Sequence, residues 1–340
     1  MLKHCFFLFC AVLGLAGTTL AGCRKGPPSQ AEFALGTLCT VSLYDQGKPE
    51  VYRELFSRFR EIESRMSVTL PDSELNRINA HAGIEPVQVQ SDVFEVLELA
   101  ARYAELSDGA FDPTIGPLVS LWNISGDEPR LPSQEEIDAL LPLVSWRDLE
   151  LDREGRTVFL KRPGMALDLG AIAKGYAADE AAGILRKNRI KRAIIDLGGN
   201  ILAYGEKQDR RPWRIGIQNP LDSRGSYIGI MEVRDHTVVT SGVYERFFEE
   251  DGVRYHHILS PADGYPARSG LLSVSVVTRR SADADALSTA VFVLGYERGK
   301  ALVESSEGVG AVFIFEDKSI RLCGGADFVL TDENYRIVSN

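Results

Sequence analysis

Apolar positions recur along this chain in two registers, one helical and one strand-like. Residues 50–66 carry Leu55, Phe59, Ile62 and Met66 at helical spacing with charges between them. Residues 91–106 repeat the pattern with Phe94, Leu97, Ala101 and Ala104; Ser91 or Asp92 is the expected cap and Gly109 the expected stop. A short helix is predicted over 133–141, opened by a capping box of Ser133 and Glu136, and a longer one over 171–187. Period-two alternation marks strands at 32–44, broken around Gly36-Thr37, and at 156–161 and 165–169, expected to pair. A buried strand at 193–197 begins a strand-rich block: 200–205, 213–218, 227–233, 237–241, 253–259 and 271–278. Helices over 282–295 and near 297–305 follow, then strands at 310–315 and 319–322. Residues 123–133, rich in Pro, Gly and charge, read as a surface excursion. Strands and helices come in blocks, which predicts an α+β fold with mixed or antiparallel sheets and packed helices.

The first residues do not fit that scheme. Lys3 precedes an apolar run, residues 6–15, and Leu20-Ala21-Gly22 leads into Cys23. The run is too short to span a bilayer, which takes about 20 residues. Small residues directly before a cysteine read as a lipoprotein signal over 1–22, with Cys23 as the lipidation site. Residues 23–31 become a tether and 32–340 the folded part, either one domain or two fused lobes. The expected product is exported and membrane-anchored on the periplasmic side. The net charge of −10 argues against nucleic acid as a partner. Of five cysteines, Cys39 and Cys323 remain in the folded part, where an oxidising compartment permits pairing. No CxxC occurs, which argues against a zinc or thioredoxin-type site.

The candidate chemistry begins in ADADALSTAVFVLG, residues 282–295. On a helix Asp285, Ser288 and Thr289 share one face, with Cβ atoms roughly 5–6 Å apart. A carboxylate and two hydroxyls suit a hard cation such as Mg²⁺, which completes its shell with substrate phosphates. The alternative is ordinary helix capping, for which Asp283 is the better placed residue. Residues 165–179, MALDLGAIAKGYAAD, predict a strand–turn–helix junction whose free N–H groups favour an anion. Lys174 in the first turn opposes the helix dipole and is tolerated facing a phosphate, or is a solvated lysine. In HHILSPADGYP, residues 256–266, strand alternation sends His256 and His257 to opposite faces. Either is a general-base candidate or a structural histidine at a turn. In GAFDPTIGPL, residues 109–118, Asp112 binds a ligand or caps its own turn. Neither GxxxxGK[ST] nor a strand-linked GxGxxG is present.

Taken in order, GAFDPTIGPL, LDLGAIAKGYAAD, DLGGNILAYG, WRIGIQNP, TSGVYERFF, HHILSPADGYPA and ADADALSTAVFVLG resemble the FAD:protein FMN transferases, the ApbE-type flavin transferases, across residues 32–330. The resemblance implies an ApbE-like fold and Mg²⁺-dependent transfer of FMN from FAD to a Thr or Ser of a target flavoprotein, typically a subunit of a membrane redox complex, with release of AMP. It implies metal ligation by Asp285 and Thr289 with Ser288 adjacent and the Ala171 carbonyl added. It implies FAD contacts at Ala110, Phe111, Asp112, Asp168 and Lys174. His257 matches the family's H-I-x-x-P histidine, as proton acceptor, and Lys174 would stabilise phosphate charge. After Met66-Ser67 the family often carries an aromatic that covers the flavin; here Val68-Thr69-Leu70 stands instead, with Thr69 at the covering position. A bare flavin admits water, which keeps FAD hydrolysis to FMN and AMP as an alternative; a non-enzymatic flavin-binding lipoprotein is the other.

Overall fold

The structure is a computed structural model describing residues 29–45, 48–223 and 225–339. The signal segment and Cys23 lie outside the described residues. In chain order the elements are β1 (Ser29–Ala34), β2 (Thr37–Leu43), α1 (Pro49–Met66), α2 (Glu74–Ala80), β3 (Val87–Gln88), α3 (Ser91–Leu106), α4 (Gly116–Trp122), α5 (Gln134–Leu140), β4 (Leu149–Asp152), β5 (Thr157–Leu160), α6 (Ala173–Lys187), β6 (Ala193–Leu197) and β7 (Asn200–Tyr204). They continue with β8 (Trp213–Gln218), β9 (Tyr227–Val233), β10 (His236–Gly242), β11 (Phe247–Glu250), β12 (Val253–His256), β13 (Leu271–Thr278), α7 (Ser281–Ser305), β14 (Gly310–Phe315), β15 (Ser319–Cys323), β16 (Phe328–Leu330) and β17 (Arg336–Ile337).

A nine-stranded sheet in the order β1-β2-β6-β7-β10-β13-β14-β15-β17 forms the middle layer. Its pairs are antiparallel except β15–β17. The apolar runs of β13 and β14 are buried on both faces, and alternation divides them. Val274, Val276, Ala311 and Phe313 join the larger core with α1, α3, α6 and α7. Leu272, Val312 and Ile314 point the other way, against the three-stranded sheet β16-β9-β8, where Ile215, Ile217, Met231 and Phe328 close a second core. A third cluster, around Trp122, Leu118, Ile137 and Leu259, lies under the β11–β12 hairpin. The fold is α+β, with helices on one face of an antiparallel sheet.

Several local expectations change. Residues 165–169 form no sheet strand; Gly164 turns the chain at φ 86°, and β5 pairs with β4 and β3 instead. The 165–169 segment runs beside Ile115 through one bridge, and Asn79 holds Leu167 by both its amide atoms. The residue at the α3 N-cap position is Gln90 rather than Ser91 or Asp92, and it supplies no side-chain bond; Asp92 lies inside the first turn, where its carboxylate is engaged by Arg58 and Arg65. The strand expected to 259 stops at His256, five residues before Pro261. The two helices expected across 282–305 form one element interrupted at Gly295, whose φ of 73° and ψ of −175° leave the helical region. Short α2, α4, β4 and β11 carry no clear sequence period and were not anticipated.

Candidate active site

The site is built where α6 meets α7. Gly175 lies in the first turn of α6 against the start of α7: a Cβ there would come within 2.4 Å of Ser281 O and 2.6 Å of Ala282 Cα, so only glycine permits the approach. The contact lets a carboxylate of one helix reach the backbone of the other. Asp285 Oδ2 accepts a hydrogen bond from Gly175 N–H at 2.8 Å. In a continuous helix that N–H would go to the Ala171 carbonyl, four residues back. Its diversion means that among the described residues no backbone donor serves the Ala171 carbonyl.

The reciprocal contact fixes α7. Asp179 on α6 accepts from Ser281 N–H at 2.7 Å and Ala282 N–H at 2.9 Å, capping α7 from a neighbouring element. The N-cap residue itself, Arg280, supplies no side-chain bond, so Asp283 is not the cap. Burial pushes the Asp179 carboxyl up to about 6, against the two N–H donors and Arg280 that favour its charge.

The three oxygen-bearing residues of α7 separate. Asp285 is buried, with one oxygen fixed by Gly175. Thr289, one turn on, is half-buried, and its hydroxyl makes no hydrogen bond among the described residues. Ser288 is fully buried; it donates to the Asp285 carbonyl at 2.9 Å and pairs with Ser241 of β10 at 2.9 Å. Its hydroxyl is engaged in holding α7 on the sheet, which removes it from the accessible set. The remaining donors, a carboxylate oxygen, a hydroxyl and a carbonyl, are hard oxygens, and this set fits Mg²⁺ completed by water and phosphate oxygens. No group of three or more His, Cys, Asp or Glu is placed to hold a metal among the described residues.

Lys174 adjoins this set on α6. Its Nζ donates to Gly170 O at 2.8 Å, across the turn that opens the helix. Asp168 closes the same turn, accepting from Gly170 N–H at 2.7 Å. Burial raises the Asp168 carboxyl above the usual range, although Gly170 N–H and the charges of Lys174 and Arg246 oppose the shift. The Asp168 N–H donates to Pro113 O at 2.8 Å and Gly116 N–H to Ala166 O at 3.1 Å, so the segment that follows Ala110, Phe111 and Asp112 runs beside the one that ends in Asp168. Within the first, Asp112 holds its own turn: Oδ1 accepts from Thr114 N–H and Oγ1–H at 2.8 and 2.7 Å, and Oδ2 from Trp146 N–H at 3.0 Å. Phe111 is in the large core, and Ala110 is half-buried beside it. Thr69 is exposed and bonds within its own turn to Ser67 at 2.8 Å; no contact joins it to the α6–α7 set among the described residues.

The two histidines part as alternation requires. His256 is buried, its ring edge-on to Phe292. Its Nε2 contacts the Ala267 carbonyl at 3.1 Å and its Nδ1 faces Ile258 N–H at 3.3 Å. Nε2 must therefore carry the proton and Nδ1 accept, which fixes a neutral ring. Burial pushes its pKa down to about 4. His257 is half-buried, and its Nδ1 contacts the Arg246 carbonyl at 3.2 Å. A carbonyl only accepts, so Nδ1 carries the hydrogen and the Nε2 lone pair stays available. Burial pushes His257 down to about 3, with the charges of Arg246 and Lys174 acting in the same direction. Arg246, which sequence reasoning did not single out although it lies in TSGVYERFF, thus positions His257 by its carbonyl; its guanidinium reaches Gly36 O at 3.1 Å. Asn79 was also missed; nothing in its spacing distinguishes it from a surface amide.

The chain is similar to known proteins along most of its length. The ApbE family model matches residues 35–313. The FAD:protein FMN transferase of Treponema pallidum (strain Nichols) is 42% identical over 336 residues, 94% of this chain and 92% of that protein. The FAD:protein FMN transferase of Klebsiella pneumoniae (strain 342) is 36% identical over 312 residues, 91% of this chain and 96% of its own length. Among solved structures, the ApbE protein of Thermotoga maritima superposes with a TM-score of 0.79 at 34% identity, covering 90% of this chain and 97% of that one. The flavin transferase ApbE of Vibrio cholerae gives 0.76 at 30%, covering 91% and 97%. With the match running through the α6–α7 junction and both histidines, the chain belongs to the ApbE family.

Proposed function

We propose that the protein is a Mg²⁺-dependent FAD:protein FMN transferase that moves FMN from FAD to a Thr or Ser hydroxyl of a target flavoprotein and releases AMP. The observation that carries this reading is the Gly175–Asp285 bond, which fixes one Asp285 oxygen on the helix that carries Thr289 one turn on and leaves the Ala171 carbonyl without a backbone donor. These three would hold Mg²⁺, which when bound neutralises charge on the pyrophosphate oxygens. Lys174 is near enough to exchange its bond to Gly170 O for a phosphate oxygen and balance charge there. His257 presents a neutral Nε2 to take the proton of the acceptor hydroxyl as that oxygen attacks the FMN phosphorus and the bond to AMP breaks. The target is a subunit of a membrane redox complex, and the enzyme is exported and anchored through Cys23. The names of its relatives support FAD as the substrate.

A second reading, FAD hydrolysis in the same site, is favoured by the open 68–70 turn: Val68 and Leu70 are 39% and 40% exposed, and no aromatic stands there to exclude water. Incubation with FAD and Mg²⁺, with and without an acceptor domain, separates the two. AMP together with a fluorescent acceptor band is the result expected of a transferase, and AMP without acceptor marks the hydrolase. The Asp285→Ala protein should yield neither; full activity in it would exclude the metal site.

A further inference from the structure

The acidic chain conceals a cationic end. Following the register across the sheet, Ser29 faces Ser42, Leu43 faces Ala193, Ala193 faces Tyr204, Ala203 faces His236, and Thr237 faces Thr278. These residues mark one end of the sheet. Four stretches gather there: 186–192 from the last residues of α6 to β6, 205–212 after β7, 234–235 before β10, and 279–280 before α7. Together they hold eleven Lys and Arg against three Asp and Glu, in a protein of net charge −10. The connections surround a cleft of about 590 Å³. Arg186, Lys191, Arg234 and Arg279 line it, all exposed and none in an ion pair among the described residues. Two of the acids at its wall are engaged elsewhere: Asp179 caps α7, and Asp235 accepts from Gly205 N–H at 3.0 Å. Four free cations on one face attract anions and repel one another, an arrangement that a docked anionic surface relieves.

The path of the chain says which surface. β1 begins at Ser29, at this same end, and Cys23, the start of the tether, lies only six residue positions before it. Fully extended, six residues reach at most ~20 Å. An acyl chain on Cys23 therefore holds this end, and no other, within reach of the bilayer. Arg24 and Lys25 in the tether add two more cations. The candidate site lies toward the opposite end, where Arg246 grips Gly36 in the β1–β2 turn, about 20 Å away along the seven residues of β2.

We propose that this cationic end docks on anionic lipid headgroups, so that the protein stands on the membrane with its substrate site facing away from it. The proposal rests on the reading of Cys23 as the anchored residue. Lysines and arginines close to an anionic surface each add to the attraction, which decays within a Debye length. The test uses the full chain, purified from membranes and reconstituted in vesicles of phosphatidylcholine with or without phosphatidylglycerol. Cys39 and Cys323 are buried, so Gln208→Cys in the 205–212 connection takes a spin label selectively, and Asp251→Cys on the β11–β12 turn serves as the control. The 208 label should lie at headgroup depth only with phosphatidylglycerol, and return to water in high salt or when Arg186, Lys191, Arg234 and Arg279 are all changed to Gln. That fourfold change should lower the docked fraction on the order of tenfold or more and leave FMN transfer to a soluble acceptor intact. A 208 label equally hydrated in both vesicles overturns the proposal, as does one that stays at headgroup depth in the variant with all four residues changed to Gln. Mass spectrometry of the N-terminal peptide judges the anchor separately: an unacylated Cys23 sinks that reading, whatever the depth of the label.

Discussion

His256 and His257 are adjacent in sequence, chemically identical and opposite in use. The difference is a matter of which nitrogen meets a carbonyl. His256 has both nitrogens engaged by its own loop and packs on Phe292, so its role is to hold the turn. His257 has one nitrogen oriented by Arg246 and one open. His257→Ala is expected to lower transfer 10²–10⁴-fold, the usual contribution of a positioned base, while the circular dichroism spectrum stays native. With His257 depressed to about 3, the acid limb of kcat/KM should fall well below pH 6.5; a limb centred at 6.5 would reject it as the base. His256 predicts a stability effect instead. Its native pKa of about 4 lies under the unfolded value of ~6.5, so between these the unfolded chain binds more protons and stability falls as pH drops. The slope per group is at most about 1.4 kcal/mol per pH unit. Raised carboxyls such as Asp179 tilt the curve the other way, so the measurement is a difference: urea unfolding of wild type against His256→Gln at pH 7.5, 5.5 and 4.5. The wild-type advantage should shrink toward pH 4.5; a constant gap would disprove the assignment.

At the scale of elements, the site is a consequence of two helices exchanging groups. Asp285 of α7 binds the α6 backbone, and Asp179 of α6 caps α7. Gly175→Ala should break this exchange, because its Cβ meets rigid backbone atoms at 2.4 and 2.6 Å rather than a yielding side chain. Overpacking of this kind costs about 1–3 kcal/mol, and the Mg²⁺ dependence of activity should weaken along with thermal stability. Loss of stability with unchanged metal response would show that the helix contact and the site are independent. Asp179→Ala removes the cap and should cost about 1–2 kcal/mol by thermal unfolding. The long elements of this junction were legible in sequence because 3.6-residue periodicity persists over them. So was the oxygen cluster Asp285–Thr289, a spacing that needs no tertiary knowledge. The engagement of Ser288 by Ser241 was not legible, since 47 residues separate them and only strand order brings them together. The capping of α7 by Asp179 was hidden for the same reason, and the local candidate Asp283 was the natural but mistaken choice. Segment 165–169 alternates like a strand, yet its partners are Asn79 and Ile115, and period alone does not report a partner.

The whole molecule decides questions that no segment does. Cys39 and Cys323 are the cysteines of the described residues, and the expectation of an oxidising compartment allowed their pairing on chemistry alone. Sheet order forbids it. Cys39 is on β2 and Cys323 on β15, with β6, β7, β10, β13 and β14 between them. Six inter-strand steps of about 4.8 Å place them roughly 29 Å apart, where a disulfide needs Cα atoms within about 7 Å. Both thiols are free and buried, and burial pushes them up to about 12 and about 11, so thiolate attack is suppressed as well. Thiol titration should therefore find both groups only after denaturation, and reductant should leave the melting temperature of the native protein unchanged. A reductant-sensitive melting transition in the monomer would contradict the strand order itself, because no local adjustment closes a gap of six inter-strand steps. The stability of the fold then comes from a sheet covered on both faces rather than from covalent cross-links among the described residues, and it should persist in a reducing buffer.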